Sequence, residues 1–166
     1  MNGTVACPGC GAIFPGNDGP THRYMESSPG CWAAYGEVLA REFSDPRYMA
    51  VHRLTVDTYA VQHPGRPSPQ TIQSVAIHLV GLYASLQLHL HPKVVAAGIK
   101  RAADKGRFQW LERPTRLGDL TVADVLPARS PDEHARLVHR WAEAAWTAWA
   151  GYHSQVKEWS RIAALE

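Results

Sequence analysis

Four times along the chain a helix-capping residue stands directly before a proline: Ser28-Pro29, Asp45-Pro46, Ser68-Pro69 and Ser130-Pro131. The capping side chain accepts from the free amides of a first turn. The proline that follows has no amide to satisfy and a φ already close to the helical value, so each pair marks a helix start. Ser130 is joined three residues later by Glu133, which makes a capping box, and Thr121 with Asp124 is a weaker version of the same pattern. With the apolar periodicity between these marks, the spacing predicts helices over 29–43, 46–63, 69–90, 92–104, 121–126 and 131–163. Only the first twenty-seven residues and the stretch from Gly106 to Gly118 read as irregular, and no strand-like alternation of useful length occurs. The expected fold is all-α: a helical bundle over 28–166 with an irregular, zinc-knuckle-like segment over 1–27 packed on it, the whole forming one domain of 166 residues.

Composition narrows the function classes. Apolar residues at 45% and charged ones at 19% suit a folded domain with a real core. A net charge of +2 offers no electrostatic footprint for nucleic acid or a membrane surface. The basic run from Lys100 to Arg116 surrounds Phe108 and Trp110, but Asp104 and Glu112 dilute it, and it reads as a solvated helix end. The longest stretch without Lys, Arg, Asp or Glu, Pro67 to Pro92, carries Gln70, Gln73, His78, Ser85, Gln87 and His89 and is too polar to span a bilayer. The opening MNGTVACPGCGA has neither the basic start nor the apolar core of a signal peptide. Three cysteines make no even disulfide framework, so a cytoplasmic protein is expected.

Cys7-Pro8-Gly9-Cys10-Gly11 is the sharpest local signal. Thiolates two residues apart in a Gly/Pro turn can face one ion, and zinc takes four such ligands in a tetrahedron. Cys31 is the expected third ligand. It falls in the first turn of the helix opened by Ser28, where free amides favour a thiolate. His22 or His63 supplies the fourth. The competing readings are a redox dithiol, unpaired thiols, or a Cys31 nucleophile served by a histidine base. No βαβ context and no oxyanion-hole motif accompany them.

Histidines form the second candidate site. Tyr48, His52, Thr55, Tyr59, Gln62 and His63 share one face of the 46–63 helix, and Ser74, His78, Gly81, Ser85 and His89 form a stripe on the 69–90 helix. His52 and His63 are separated by roughly 16 Å of helical rise and cannot share an ion. If the two helices are antiparallel neighbours, His78 lies near the level of residues 54–55 and within about a turn of His52. His139 or His153 from the last helix is then available as a third ligand. His52, Tyr59 and His78 are therefore the candidate catalytic residues, suited to acid–base or metal-assisted chemistry on a small-molecule substrate. Against this stands the reading of each histidine as a hydrogen-bonded core group. Asp57 either pairs with Arg53 on the helix surface or orients a ligating histidine. The Trp-rich last helix, with Trp141, Trp146, Trp149, Trp159 and Tyr152, reads as core, as a homo-oligomer seam, or as a pocket wall beside His153.

The segments CPGCGA, GPTHRYMESSPGCWAAYGEVLAREFSDPRYMAVHRLTVDTYAVQHPG and SVAIHL and the closing LGDLTVADV…WTAW…H resemble an uncharacterised bacterial family of unknown function, frequent in actinobacteria. The resemblance covers nearly the whole chain and marks Cys7, Cys10, His22, Cys31, His52, Asp57, Gln62, His63 and His78 as signature polar positions. It implies no activity. Inward histidines in a helical bundle also look like DinB-type metal-dependent enzymes, by analogy alone, since the usual pattern of those enzymes is missing. Two functions are carried forward: a small zinc-binding enzyme with a His-lined pocket, and a non-catalytic binding or adaptor module whose zinc is structural.

Overall fold

A computed structural model describes residues 3–166. Each proline-marked start is a capped helix. Ser28 Oγ accepts from the Cys31 amide ahead of α1 (Pro29–Ser44), and Asp45 accepts from the Arg47 amide ahead of α2 (Pro46–Met49). Ser68 caps α4 (Pro69–Leu86), and His91 uses its Nδ1 to cap α5 (Pro92–Lys105). Thr121 and Asp124 form the full reciprocal box at α6 (Val122–Val125). At α7 (Pro131–Ala148), Ser130 accepts from the Glu133 amide, but the Glu133 carboxylate turns back to the Arg129 amide, so that box is displaced by one residue.

Two predicted helices are broken. The 46–63 helix is divided by Ala50 and Val51 into α2 and α3 (His52–Gln62), with Val51 at φ −107°, ψ 7°. The break re-aims the second half so that His52 and Thr55 reach Glu42 on α1. The 131–163 helix is divided after Ala148 by a 3-10 turn (Ala150–Tyr152), and α8 (His153–Ile162) then crosses back onto α4 and α5. His153 Nε2 donates to the Trp146 carbonyl, which also accepts from the Trp149 amide at the break, and its ring is stacked on Trp146 at 3.7 Å. α4 also stops short of residue 90, leaving through His89 in the left-handed region (φ 52°).

α3 and α4 pack against each other at the centre, with α7 and α1 beside α3, and α5 and α8 beside α4. Val61, Leu79, Val80, Leu82, Val138, Trp141 and Trp149 are fully enclosed between them. Each large apolar side chain so buried contributes about 1.5–3 kcal/mol. Trp146 and Trp159 are buried in the same core. Among the described residues no helix is long and apolar enough to cross a membrane.

The N-terminal segment departs from the strand-free expectation. β1 (Thr4–Ala6) pairs antiparallel with β2 (Ile13–Pro15) in the register Thr4↔Pro15, Val5↔Phe14, Ala6↔Ile13, and the knuckle forms the turn between them. Three residues per strand are too few for alternation to show in a sequence. This hairpin rests on α1 and the end of α3.

Candidate metal centre

The knuckle is shaped by backbone chemistry. The Cys7 amide donates to the Ala12 carbonyl at 2.8 Å, the Gly11 amide donates to the Cys7 carbonyl at 2.9 Å, and Gly11 takes a positive φ of 80°. Gly9 passes so close to the end of α3 that a Cβ there would lie 2.4 Å from the Glu26 carbonyl and 2.5 Å from His63 Cδ2. Only glycine allows that approach. Arg113 holds the knuckle from outside, donating to the Pro8 and Gly9 carbonyls at 3.3 and 2.7 Å.

Three elements thereby bring Cys7, Cys10, Cys31 and His63 together, with one ligand atom of each lying within 4.8 Å of the others. Cys31 sits in the first turn of α1, its amide held by Ser28. His63 is the residue after α3, and its Nδ1 donates to the Tyr59 carbonyl at 2.6 Å. A carbonyl can only accept, so the proton is on Nδ1 and the Nε2 lone pair faces the sulfurs. This is the tautomer and second-sphere bond of a metal-ligating histidine.

Distances test the fit to zinc. A tetrahedron with Zn–S of about 2.3 Å and Zn–N of about 2.0–2.1 Å has sulfur–sulfur edges of about 3.8 Å and sulfur–nitrogen edges of about 3.6 Å. Cys10 Sγ lies 3.8 Å from Cys31 Sγ, and Cys31 Sγ lies 3.4 Å from His63 Nε2. The thiols cannot all ionise on their own. Contacts with Cys10 and Cys31 pull the Cys7 thiol far down, while contacts with Cys10 and Cys7, plus burial, drive the Cys31 thiol far up. Contact with Cys31 lowers Cys10, but contact with Cys7 and burial outweigh it and leave Cys10 pushed up to about 12. A divalent cation at the centre removes that conflict. Tyr59 is held protonated by burial and by Cys31, and its hydroxyl lies 3.5 Å from Cys31 Sγ as the available donor.

His22 lies outside this set. Its Nδ1 accepts from the Tyr24 and Met25 amides, and its ring packs edge-on to Tyr24 and Trp32. Three cysteines and His63 already make up the four ligands a tetrahedral ion would take.

The three candidate catalytic residues do not share a pocket. Tyr59 belongs to the cysteine cluster, stacked between His63 and Tyr35. His52 and His78 end on different carboxylates. His52 Nδ1 donates to Glu42 at 2.7 Å, and the opposite oxygen of Glu42 is held by Thr55 and by His134 Nε2 at 3.0 Å. His78 Nδ1 donates to Asp57 at 2.7 Å, and Arg53 grips the same carboxylate with two bonds at 2.6 and 3.0 Å. Asp57 does pair with Arg53, but as a fully buried carboxylate rather than on the helix surface, and the histidine it holds, His78, lies outside the candidate metal cluster. His78, expected at the level of residues 54–55, meets Asp57 instead, less than one turn further along. Gly81 explains its place in the α4 stripe, since a Cβ there would sit 2.3 Å from Asp57 Oδ2.

Glu42 and His134 were missed in the sequence. The signal was present, because Glu42 continues the row Cys31, Tyr35, Val38 at helical spacing, and His134 continues Val138, Trp141, Ala145. Gln62 is spoken for in the core. It donates to the Leu117 and Leu120 carbonyls and accepts from Trp141 Nε1, fastening the 106–121 loop to the bundle.

No curated protein and no solved structure matches the chain. Residues 5–150, which contain all four clustered ligands, match the family of unknown function DUF5946, and the chain belongs to that family.

Proposed function

We propose that this protein is a zinc protein whose ion is structural, joining the N-terminal hairpin to the first turn of α1 and the end of α3. The closed ligand set carries the reading. Three cysteines and one histidine fill a tetrahedron, and Cys7, Cys31 and His63 are buried, whereas a catalytic zinc keeps one position open for water or substrate. Three reduced thiols suit a reducing compartment such as the cytoplasm. The protein then acts as a binding or adaptor module. Elemental analysis of protein purified without chelator or affinity-column metal tests this. The expected result is one equivalent of zinc, absent from the Cys7→Ser/Cys10→Ser variant. A metal-free native protein that takes up no zinc overturns it.

A second reading rests on His52 and His78. Each is anchored through Nδ1 on a fully buried carboxylate, is partly exposed, and has no protein partner for Nε2 among the described residues. A carboxylate that fixes the Nδ1 tautomer leaves Nε2 as an outward base. This arrangement supports acid–base chemistry on a small-molecule substrate, independent of the zinc. A thermal-shift screen of small molecules checks it. A hit lost in His52→Gln or His78→Gln, with the fold intact, favours this reading. A hit that survives both substitutions removes it.

A further inference from the structure

Among the four ligands only Cys10 is partly exposed. It forms part of the wall of a cavity of about 460 Å³, together with Gly9, Gly11, Arg113, Thr115 and Thr121. Cys31 Sγ lies directly behind it at 3.8 Å. Metal-bound cysteine is a thiolate, the form of sulfur that attacks two-electron oxidants. Cys7 and Cys31 are buried, so Cys10 is the ligand residue that the cavity reaches, with the Cys31 sulfur in contact with its own.

The geometry points to Cys10 as a modification site for hydrogen peroxide. Its thiolate attacks the terminal oxygen, the O–O bond breaks, and Cys10 becomes a sulfenic acid as hydroxide leaves. The Cys31 thiolate then attacks the Cys10 sulfur, a Cys10–Cys31 disulfide forms, and a second hydroxide leaves. Two thiolates are oxidised and one peroxide is reduced. The ion, left with Cys7 and His63 alone, goes to solvent, and a dithiol reductant returns the two thiols.

This inference rests on the zinc reading, and the experiment separates the two. Zinc-loaded protein is treated with hydrogen peroxide, zinc release is followed with a chromogenic chelator, and peptides are mapped after alkylation, with dimedone as the early trap. The expected outcome is full zinc release with loss of two hydrogens, dimedone on Cys10, a Cys10–Cys31 disulfide and an alkylated Cys7. Thr115 is exposed on the cavity wall, and Thr115→Trp, which leaves every ligand in place, slows release several-fold. Zinc retained under peroxide, a first tag on Cys7 or Cys31, a Cys7–Cys10 disulfide, or an unchanged rate in Thr115→Trp each overturns the proposal while leaving the zinc reading standing. Protein that binds no zinc at all overturns both.

Discussion

A single hydrogen on Cα decides whether the four candidate ligands close on one another. Gly9 touches both the Glu26 carbonyl and the His63 ring, so Gly9→Ala must push the knuckle off α3 and separate two of its ligands from the other pair. Zinc competition with a calibrated chelator is expected to show affinity about 10–100-fold lower, the range seen when the support of a ligand is lost. Tyr59→Phe removes the hydroxyl beside Cys31 Sγ without touching a ligand, and the same titration should show a loss near the lower end, about tenfold. Glu42 makes the clearest pH prediction. Burial pushes its carboxyl up, but hydrogen bonds from His134, His52 and Thr55 outweigh burial and hold it below the ordinary range. A depressed acid stabilises the fold above its unfolded-state pKa of about 4.3, and that contribution is lost as pH falls through the lower folded-state value. Glu42→Gln should therefore cost about 2–3 kcal/mol in urea unfolding at neutral pH. Its melting temperature should also fall less steeply than wild type's below about pH 4.3.

At the scale of elements, the proline-marked starts and most outer ends of the helices were readable, and the internal breaks were not. A start is written in two adjacent residues, cap and proline, whereas a break depends on what the next turn must reach. Nothing local in Ala50-Val51 stops a helix. α3 re-aims there because Glu42 on α1 takes both His52 and Thr55. The end of α8 shows the same dependence. Ala164 adopts a left-handed φ of 53° although it is not glycine, the Leu165 amide reaches back to the Ser160 carbonyl, and Leu165 is laid onto Gly98 of α5. A Cβ on Gly98 would come within 2.4 Å of the Leu165 side chain. Gly98→Ala should thus lower unfolding stability by about 1–3 kcal/mol, the cost of overpacking a fitted contact. Truncation before Leu165 in the same background should remove most of the difference between the two, because the clash goes with the leucine.

For the whole molecule, the hairpin and the bundle are stable to different degrees. The hairpin has two three-residue strands and several exposed apolar side chains, including Val5 and Ile13, so it holds its place through the cluster and Arg113 rather than through a core of its own. Chelation should leave the far-ultraviolet helical signal of the bundle nearly intact while exposing the chain before α1 to limited proteolysis. Bound zinc at a thousandfold excess over its dissociation constant adds about 4 kcal/mol to the folded state, and that increment should vanish from the melting curve with the metal. By itself the sequence determined the helical class, the capped starts, the Cys-x-x-Cys turn and Cys31 as its companion. Each of these is set by neighbours a few residues apart or by the chemistry of one side chain. It left His22 and His63 level as the fourth ligand, grouped His52 with His78, and showed Glu42 and His134 only as polar positions on otherwise apolar helix rows, without their partners. Those choices belonged to the tertiary structure alone. Which imidazole meets which sulfur or carboxylate depends on how helices distant in sequence pack, and a shift of one helical turn between α3 and α4 exchanges one partner for another.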